Sequence, residues 1–531
     1  GWLMLPDLNS LNVKTIYLLP VTSIGIDGRK GDLGSPYAIR NPYALDDNLS
    51  EPFLDMSIEE QFAAFVQAAH LIGMKVVSEF VFRTASIDSD LAIDHPGWFY
   101  WIKESIKDRE DKKDEKKYGS PLFNKAELKK IKEKVEKGDL AKLPDPHEVY
   151  KNMFRTPPNK VARVDDKIVG VNKSPDGKIR KKDNLRIPGA FADWPPDDNQ
   201  PPWSDVTYLK MYDHPDFNYI AYNTVRMYDE KLAEKKNRVQ ELWDNIVSII
   251  PYYQDKFGID GVMIDMGHSL PDELRSSLIE KARENDPGFV FWEENFTLSE
   301  KSKEEGYDAS LGYMPFDEHN PWKLKEILKM FEEGKCPIYF FATPETHNTP
   351  RAASREGSIQ FSKAAYSINK ILPTMTFIHN GFELGEKDPV NTGLGFTDKL
   401  IEKYPPEKLP LFSTSMLNWT GGSEIINHIR KVNEFADEHI KDTNSLEKQK
   451  VILLEASHFD IVSFIRRDDT KQHEILFAGN FNPEETIECE IDLLNGTEKF
   501  TDAISNTEYK TKEGKLNIKL EPFEFVLGII E

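Results

Sequence analysis

The stretch Phe257-Gly-Ile-Asp-Gly-Val-Met-Ile-Asp-Met-Gly-His268 decides the fold that this sequence predicts. Its centre, Gly261 to Ile264, is a short apolar run, which is typical of a strand buried on both faces in a parallel sheet. Two polar residues, Asp265 and His268, follow closely. The stretch therefore predicts a buried strand that presents a carboxylate and an imidazole just beyond its C-terminal end.

A second apolar run, Phe289 to Trp292, ends in a similar way on Glu293 and Glu294, and one helical segment separates it from the first run. In enzymes built as barrels of alternating strands and helices, the C-terminal ends of the strands carry the catalytic residues. Retaining glycoside chemistry needs two carboxylates roughly 5–5.5 Å apart, one as nucleophile and one as acid/base. Asp265 and one of the two glutamates are candidates for that pair.

The composition restricts the class of protein. A chain of 531 residues has room for about two to four domains. Its 68 Lys and Arg against 90 Asp and Glu give a net charge of −22, which argues against a nucleic-acid partner. No long apolar run or signal peptide is present, so no membrane partner is expected. The two cysteines, Cys336 and Cys489, lie far apart and predict neither a disulfide framework nor a zinc site, and a cytoplasmic location is expected.

Alternating strands and helices run from Thr15 to His379, and seven segments have the apolar character of barrel strands, the last of them Thr374 to His379. Ser57-Ile-Glu-Glu60 is a capping box that predicts the start of a helix. Eight strands close such a barrel, and the chain opens on a helix that no strand precedes. We therefore predict an α/β fold of the (β/α)8 barrel type whose first strand is missing from the numbered chain, because an N-terminal segment is absent. An open doubly wound sheet is the structural alternative.

Two regions depart from this alternation. Residues 103–117 are almost all charged, and residues 155–203 are rich in Pro, Asn, Asp and Gly, which together predict a subdomain inserted after the third strand. From Val451 onward, short alternating segments predict an antiparallel β-sandwich. Its predicted strands are Asp460–Ile465, Glu474–Ala478, Thr486–Asp492, Leu516–Leu520 and Phe523–Ile529. The predicted domains are 1–102 and 226–448 for the barrel, 103–225 for the inserted subdomain, and 449–531 for the sandwich.

Several segments near predicted strand ends carry a resemblance to known enzymes. They are Ile16-Tyr-Leu-Leu-Pro-Val21, Lys30-Gly-Asp-Leu-Gly-Ser-Pro-Tyr37, Arg83-Thr-Ala-Ser-Ile-Asp-Ser-Asp-Leu91, His95-Pro-Gly-Trp-Phe-Tyr-Trp-Ile-Lys103, Asp265-Met-Gly-His268, Lys303-Glu-Glu-Gly-Tyr-Asp308, Glu345-Thr-His-Asn-Thr-Pro-Arg351 and Gly381-Phe-Glu-Leu-Gly-Glu386. In this order they resemble the α-amylase superfamily, glycoside hydrolase family thirteen, and within it the 4-α-glucan maltosyltransferases. The resemblance implies transfer of a maltosyl unit between α-1,4-glucans such as malto-oligosaccharides.

The resemblance also implies roles for individual residues. Asp265 falls on the position of the nucleophile, and Glu294 on that of the general acid/base, with Glu293 as its neighbouring candidate. It also implies sugar contacts for Tyr37, His268 and His347. Arg83 and Glu293 are further candidates for binding the substrate. No cofactor is implied. Structural calcium is common in the superfamily, but the sequence defines no ligand cluster for it, and a homodimer is an expectation drawn from relatives.

Some of these side chains also have a structural interpretation. For Arg83 a structural ion pair is the favoured interpretation, and binding of a substrate or phosphate oxygen is the alternative. The run from Trp98 to Trp101 is predicted to pack in the core rather than to stack on sugar. Trp194 and Trp203 are candidates for a glucan groove, with packing inside the proline-rich segment as the alternative.

Three positions depart from the family pattern. Asn348 stands where the family has a third carboxylate, Met263 replaces an arginine two residues before the nucleophile, and Glu79 replaces the aspartate of the first conserved strand. An arginine keeps a neighbouring carboxylate ionised, so an apolar Met263 should raise the pKa of Asp265. Two alternatives therefore remain beside the transferase: an α-glucan hydrolase, and a catalytically weakened homologue that binds glucans or a partner protein.

Overall fold

The computed structural model describes residues 2–104, 123–137, 139, 148–171, 184–190, 203–214, 233–392, 402–403, 409, 411–414, 416–420, 423–441, 445–468, 474–493 and 499–530. These residues form two compact units. The first contains residues 15–293, and the second contains residues 1–14 together with 294–531.

The helices of the described residues are mostly short and amphipathic. Their bounds are α1 (Leu5–Ser10), α2 (Ile58–Leu71), α3 (Leu91–Asp94), α4 (Lys125–Glu136), α5 (Glu148–Met153), α6 (Gln240–Phe257), α7 (Asp272–Asn285), α8 (Glu300–Glu304), α9 (Met314–Asp317), α10 (Pro321–Glu332), α11 (Ser358–Ile371) and α12 (Ser423–His439). None of those described has both the length and the apolar character that crossing a bilayer requires.

The strands fall into a parallel series and several antiparallel sheets. Their bounds are β1 (Thr15–Leu18), β2 (Thr22–Ile24), β3 (Ile39–Leu45), β4 (Lys75–Phe80), β5 (Thr84–Ser86), β6 (Trp101–Lys103), β7 (Phe154–Arg155), β8 (Lys160–Val164), β9 (Lys167–Val171), β10 (Leu185–Arg186), β11 (Val206–Tyr208), β12 (Gly261–Ile264), β13 (Val290–Glu293), β14 (Ala309–Ser310), β15 (Tyr339–Ala342), β16 (Met375–Thr376), β17 (Val451–Leu453), β18 (Ile461–Arg467), β19 (Glu474–Asn480), β20 (Ile487–Asp492), β21 (Lys499–Asp502), β22 (Thr507–Lys510), β23 (Lys515–Leu520) and β24 (Phe525–Ile530).

The unit 15–293 is organised around four parallel strands in the order β1-β4-β12-β13. Helices connect them in alternation, as predicted. Helix α2 begins at the predicted capping box, in which the Glu60 backbone N–H donates to Ser57 Oγ at 3.2 Å and the Ser57 backbone N–H donates to Glu60 Oε2 at 2.8 Å. Helix α6 ends at Gly258, whose φ of 71° is a left-handed conformation that glycine adopts without strain. All four residues of β12 are buried, which explains its unbroken apolar sequence.

A five-stranded antiparallel sheet with the strand order β7-β6-β10-β9-β8 forms the inserted region in the same unit. Arg163 on β8 joins it to the segment after β5, because its Nη2 donates to the Asp88 carbonyl at 2.7 Å and to Asp90 Oδ1 at 2.6 Å. Most of the charged run and Trp194 lie outside the described residues. A charged side chain thus anchors the insertion to the segment that follows β5.

In the other unit, three parallel strands in the order β14-β15-β16 continue the alternation with helices. The strand predicted to reach His379 is confirmed only for Met375–Thr376, because beyond Thr376 the chain turns into a loop. The C-terminal strands form a six-stranded antiparallel sheet, β17-β18-β19-β24-β21-β22, and the pair β20-β23, which share one apolar core. This is the predicted sandwich, and β17, β21 and β22 are additions to the predicted strands.

Glu318 is a buried acid just after α9 in this unit, only 1% exposed. Asn369 Nδ2 on α11 donates to its Oε2 at 3.3 Å, whereas its Oε1 has no hydrogen-bond partner among the described residues. Burial raises the pKa of Glu318 to about 8, although Asn369 and the charge of Arg355 act against it. The carboxyl group therefore carries a proton at neutral pH.

We expect Glu318→Gln to remove an instability at alkaline pH. The folded-state pKa lies above the ordinary 4.5, so the stability contributed by the protonated form is fully present below pH 4.5 and is lost as the pH rises through 8. At pH 9 the variant should gain about 2 kcal/mol in its free energy of unfolding, and at pH 5 it should match the wild type. Urea unfolding at both pH values measures this, with Glu280→Gln, an exposed acid on α7, as control. If Glu318→Gln lost as much stability as the wild type between pH 5 and pH 9, Glu318 would not be the buried acid responsible for that loss.

Candidate active site

The ends of β4, β12 and β13 lie in register. Met263 pairs with Glu79 on one side and Trp292 on the other, and Ile264 pairs with Phe80 and Glu293. Asp265 is the next residue after β12, and Glu294 is the next residue after β13. The two candidate catalytic acids therefore directly follow paired residues of neighbouring parallel strands.

The backbone at Asp265 is fixed from both sides. Its N–H donates to the carbonyl of Phe80 at 3.0 Å, which extends the pairing of β12 with β4 by one residue. The following residue, Met266, has a φ of 43°, a left-handed conformation that is strained for a side chain of this kind. Ser269 holds the turn closed, because its Oγ donates to the Met266 carbonyl at 2.7 Å. The half-buried Asp265 therefore lies between the C-terminal end of β12 and a tight turn.

Glu79 and Asp265 are brought together, with carboxylate oxygens within 4.8 Å of each other. Glu79 is 1% exposed, and the Tyr17 hydroxyl donates a short hydrogen bond to its Oε2. Met263, beside them on β12, is also buried and carries no charge. The position that holds an arginine in the family therefore supplies no cation to Asp265 here, while the Glu79 position supplies a second carboxylate.

His268 and Glu293 also come close together. Glu293 is fully buried at the end of β13, and its Oε1 lies 4.0 Å from Nδ1 of His268. The His268 side chain is 41% exposed. An imidazole in a partly exposed position beside a buried carboxylate has the donor chemistry that binding a sugar hydroxyl requires.

In the second unit, the loop after β15 carries His347 and Asn348. Burial and the charge of His379 lower the pKa of His347 to about 3, so its imidazole is neutral at neutral pH and has one donor and one acceptor nitrogen. Asn348 Oδ1 accepts a hydrogen bond from the Thr392 hydroxyl at 3.3 Å. Its amide can bind a hydroxyl group, but it brings no negative charge to a cationic transition state.

A buried charged network stabilises this loop. Arg351 Nη1 donates to Glu345 Oε1 at 2.8 Å and to the Asn380 carbonyl at 2.8 Å, and His379 Nδ1 lies 3.1 Å from the same Glu345 oxygen. The Ala352 backbone N–H donates to the other Glu345 oxygen at 2.5 Å. Burial acts to raise the pKa of Glu345, but the hydrogen bond from His379 and the charges of His379 and Arg351 hold it below its ordinary value.

Glu345 and Arg351 lie within the motif Glu345–Arg351, which is a local signal in the sequence. His379 lies three residues after β16, so its contact with Glu345 could not be predicted without the fold.

The remaining predicted residues have varied environments. Tyr37 is half-buried, and its backbone N–H donates to Ser35 Oγ at 3.3 Å. Arg83 is 3% exposed and stacks on the ring of Tyr208, 4.3 Å from its centroid. Trp203 is 40% exposed, with the Lys30 ammonium over its ring. The four aromatic residues from Trp98 to Trp101 are all buried, which confirms their predicted packing in the core.

Sequence comparison finds no family model that matches the chain. Among curated proteins, an α-1,4-glucan:maltose-1-phosphate maltosyltransferase of Cereibacter sphaeroides is 33% identical over 107 residues, which are 18% of this chain and 17% of that protein. The enzyme of the same name from Picrophilus torridus is 21% identical over 497 residues, 90% of this chain and 57% of its own length. This chain therefore spans little more than half of the Picrophilus protein.

Structural comparison gives similarity over nearly the whole chain. An α-amylase of Lactobacillus plantarum matches with a TM-score of 0.59 and 16% identity, covering 99% of this chain and 93% of its own. The debranching enzyme of Nostoc punctiforme matches with a TM-score of 0.57 and 14% identity, covering 99% and 88%. These similarities confirm the predicted fold, a (β/α)8-type barrel with a β-rich C-terminal domain. The predicted resemblance is confirmed as a similarity, in sequence to curated maltosyltransferases and in fold to an α-amylase and a debranching enzyme.

Proposed function

We propose that the chain is an α-1,4-glucan-active retaining glycosyltransferase of the maltosyltransferase kind. The observation that carries the proposal is the register of β12 with β13, because Ile264 pairs with Glu293 and the next residues are Asp265 and Glu294. The maltosyltransferase names of the curated relatives support the choice of an α-glucan as substrate.

The proposed reaction has two displacements at the anomeric carbon of the donor sugar. In the first, a carboxylate oxygen of Asp265 forms a bond to this carbon, the glycosidic C–O bond breaks, and Glu294 protonates the leaving oxygen. In the second, Glu294 takes the proton of an acceptor hydroxyl, whose oxygen attacks the same carbon and releases Asp265. The configuration of the anomeric carbon is retained, and a maltosyl unit moves between glucans.

Other side chains would bind the sugar around the reacting bond. His268 and His347 suit hydroxyl groups, since an imidazole offers a directional hydrogen bond, and the His347 imidazole is neutral. Asn348 would bind a hydroxyl in place of the third family carboxylate, and Tyr37 would stack against the sugar. Glu293 would orient the His268 ring through its nearby carboxylate.

A second candidate function is an α-glucan-binding protein without turnover. Met263 and Asn348 favour it, because each removes a charge that stabilises the nucleophile or the cationic transition state. Loss of one preorganised electrostatic partner costs about 3–4 kcal/mol, or on the order of 10²–10³ in rate.

Incubation with maltotetraose, with and without α-maltose 1-phosphate, tests the proposal. A product ladder spaced by two glucose units is the expected result for a transferase. Glucose and maltose alone would indicate a hydrolase. Unchanged maltotetraose and unchanged maltose 1-phosphate, together with measurable binding of maltoheptaose, would overturn the enzyme and support the binding protein.

The double variant Met263→Arg with Asn348→Asp should raise the rate of transfer. It restores a cation next to Asp265 and an anion for the transition state, and we expect about a tenfold gain because the effects of grouped catalytic residues are not additive. Initial rates on maltotetraose measure it. The control is the pair Met263→Leu with Asn348→Ala, which adds no charge. A lower rate in Met263→Arg with Asn348→Asp than in this control would show that the added charges do not assist transfer in this site.

A further inference from the structure

Four large apolar side chains are exposed in the turn that precedes α2. Phe53 is 97% exposed, Leu49 is 56% exposed, and Leu54 and Met56 are 38% and 36% exposed. No other stretch of eight residues in the described part of the chain has as many exposed large apolar side chains. Single exposed apolar residues are ordinary, whereas a local group of them marks an interaction surface. We call residues 49–56 the apolar turn.

One buried side chain holds the backbone of the apolar turn in place. Gln61 on α2 is 6% exposed. Its Oε1 accepts from the Glu51 backbone N–H at 2.8 Å, and its Nε2 donates to the carbonyls of Glu51 at 3.2 Å and Met56 at 2.9 Å. The Phe53 backbone N–H donates to Glu51 Oε1 at 3.3 Å. The turn is therefore already ordered, and binding through it loses little conformational freedom.

The conformation of the apolar turn is one that packing within the chain does not explain. Asp55 has a φ of 48°, a left-handed conformation that is uncommon for a residue with a side chain and that costs free energy. The Phe53 side chain is almost fully exposed, so it contributes almost nothing to the core of its own chain. A strained turn that is held by a buried amide and exposes an unpacked phenylalanine has the properties of a preformed binding element.

The sequence around the apolar turn is acidic. No lysine or arginine occurs between Arg40 and Lys75, whereas six acids do: Asp46, Asp47, Glu51, Asp55, Glu59 and Glu60. Among the residues that the structure describes, Lys256 on α6 is the one cation that pairs with any of these acids, 4.0 Å from Glu59. A partner that covers the turn must therefore supply positive charge around its apolar contact.

We propose that the apolar turn binds an amphipathic helix of a partner protein, and that lysines and arginines border the apolar face of this helix. Two rigid domains that form a stable complex bury about 800 Å² each, which an eight-residue turn does not supply by itself. A single helix needs less, because it presents an apolar stripe about 100° wide that can cover Phe53 and Leu49. The long side chains of Lys and Arg can then reach from the stripe to the acids around the turn.

Charge argues against two other occupants of the apolar turn. A two-fold contact joins the same surface of two subunits, so two copies of the turn would bring their acids together. An anionic lipid surface would be repelled for the same reason. The lysine-rich helix α4 of a second copy does not fit either, because its Ile131 is already buried in its own chain, at 3% exposure. A basic helix from a different protein satisfies both the apolar and the charged part of the surface.

Fluorescence anisotropy with a labelled peptide tests the proposal. The probe is an amphipathic helix made of leucine and lysine, and a matched peptide of leucine and glutamate is its control. Wild-type protein should bind the lysine peptide only, and Phe53→Ser should weaken this affinity by about tenfold. Leu71→Ser, which removes an 87% exposed leucine at the other end of α2, should bind like the wild type. Equal affinity of wild type and Phe53→Ser, or equal binding of the glutamate peptide, would overturn the proposal.

A second variant tests the acids without changing the apolar side chains. Asp47→Asn with Asp55→Asn removes two charges, and asparagine tolerates the left-handed conformation at position 55. We expect the affinity for the lysine peptide to fall about fivefold at low salt and to match the wild type at high salt, where the charges are screened. Phe53→Ser should weaken binding at both salt concentrations. An affinity that is equal in wild type and the double variant at low salt would contradict the proposed basic partner.

Two further measurements identify the other occupants. Dissociation of a dimer in Phe53→Ser but not in Leu71→Ser, seen by sedimentation, would replace the partner helix by a second copy of the chain. Flotation of the wild type with phosphatidylcholine vesicles that is lost in Phe53→Ser would replace it by a lipid surface. Urea unfolding should be the same for wild type and Phe53→Ser, because this side chain is almost fully exposed. None of these measurements requires turnover, so they hold whether or not the chain is a transferase.

Discussion

Asp265→Asn should lower the rate of maltosyl transfer on the order of 10⁴-fold or more, because an amide cannot form the glycosyl ester. The substitution keeps the shape of the side chain and the backbone hydrogen bond to Phe80, so the fold and glucan binding should survive. Initial rates on maltotetraose give the loss. Equilibrium binding of maltoheptaose shows that the site remains intact. Asp255→Asn, an exposed acid on α6, is the control and should be fully active.

The ester itself can be trapped in a second variant. Glu294→Gln lacks the acid/base but keeps the nucleophile, and α-maltosyl fluoride needs no protonation of its leaving group. Mixing the two should therefore load one maltosyl unit onto the protein, visible by mass spectrometry and located on the peptide that contains Asp265. Full activity of Asp265→Asn, or a maltosyl group on a different residue, would show that Asp265 is not the nucleophile.

The parts of the fold that the sequence predicts are those encoded locally. Gly261 to Ile264 is entirely apolar because all four residues are buried, so pattern and structure agree there. The capping box at Ser57 needs only four consecutive residues, and it is present as predicted. By contrast, β16 has only two paired residues, because the chain leaves the sheet after Thr376. The apolar sequence continues through Phe377 and Ile378, beyond the last residue that pairs with β15. Nothing in the local sequence shows where this strand pairing stops.

The candidate site was predictable in position but only partly in its chemistry. The strand ends carrying Asp265 and Glu294 follow from periodicity, and Met263 and Asn348 are visible as departures from a resemblance. The short contact of Tyr17 with Glu79 joins residues 62 positions apart, and the Glu345–His379 contact joins residues 34 apart. Such contacts depend on which strands become neighbours, so they could not be derived from spacing along the chain.

Arg351→Leu should destabilise the protein by about 3–5 kcal/mol, because it leaves the fully buried Glu345 carboxylate without its cation. Glu345 is 0% exposed, and although burial acts to raise its pKa, His379 and Arg351 hold that pKa below the ordinary value, so the variant removes one of the two side chains that stabilise its charge. Urea unfolding at pH 7 measures the loss. The double variant Arg351→Leu with Glu345→Leu should recover much of it, since no uncompensated charge then remains.

The pH dependence separates this electrostatic cause from lost packing. A depressed carboxyl pKa contributes stability above the unfolded-state value of 4.5, and this contribution is lost as the pH falls through the lower folded-state value. Arg351→Leu lacks the part of this contribution that Arg351 supplies, so the difference in free energy of unfolding between wild type and variant should narrow as the pH falls below 4.5. A gap that stays constant with pH would mean that Arg351 acts through packing alone. Because Glu345 and Arg351 flank His347 and Asn348 on one loop, a constant gap would also weaken the view that this network positions sugar-binding groups.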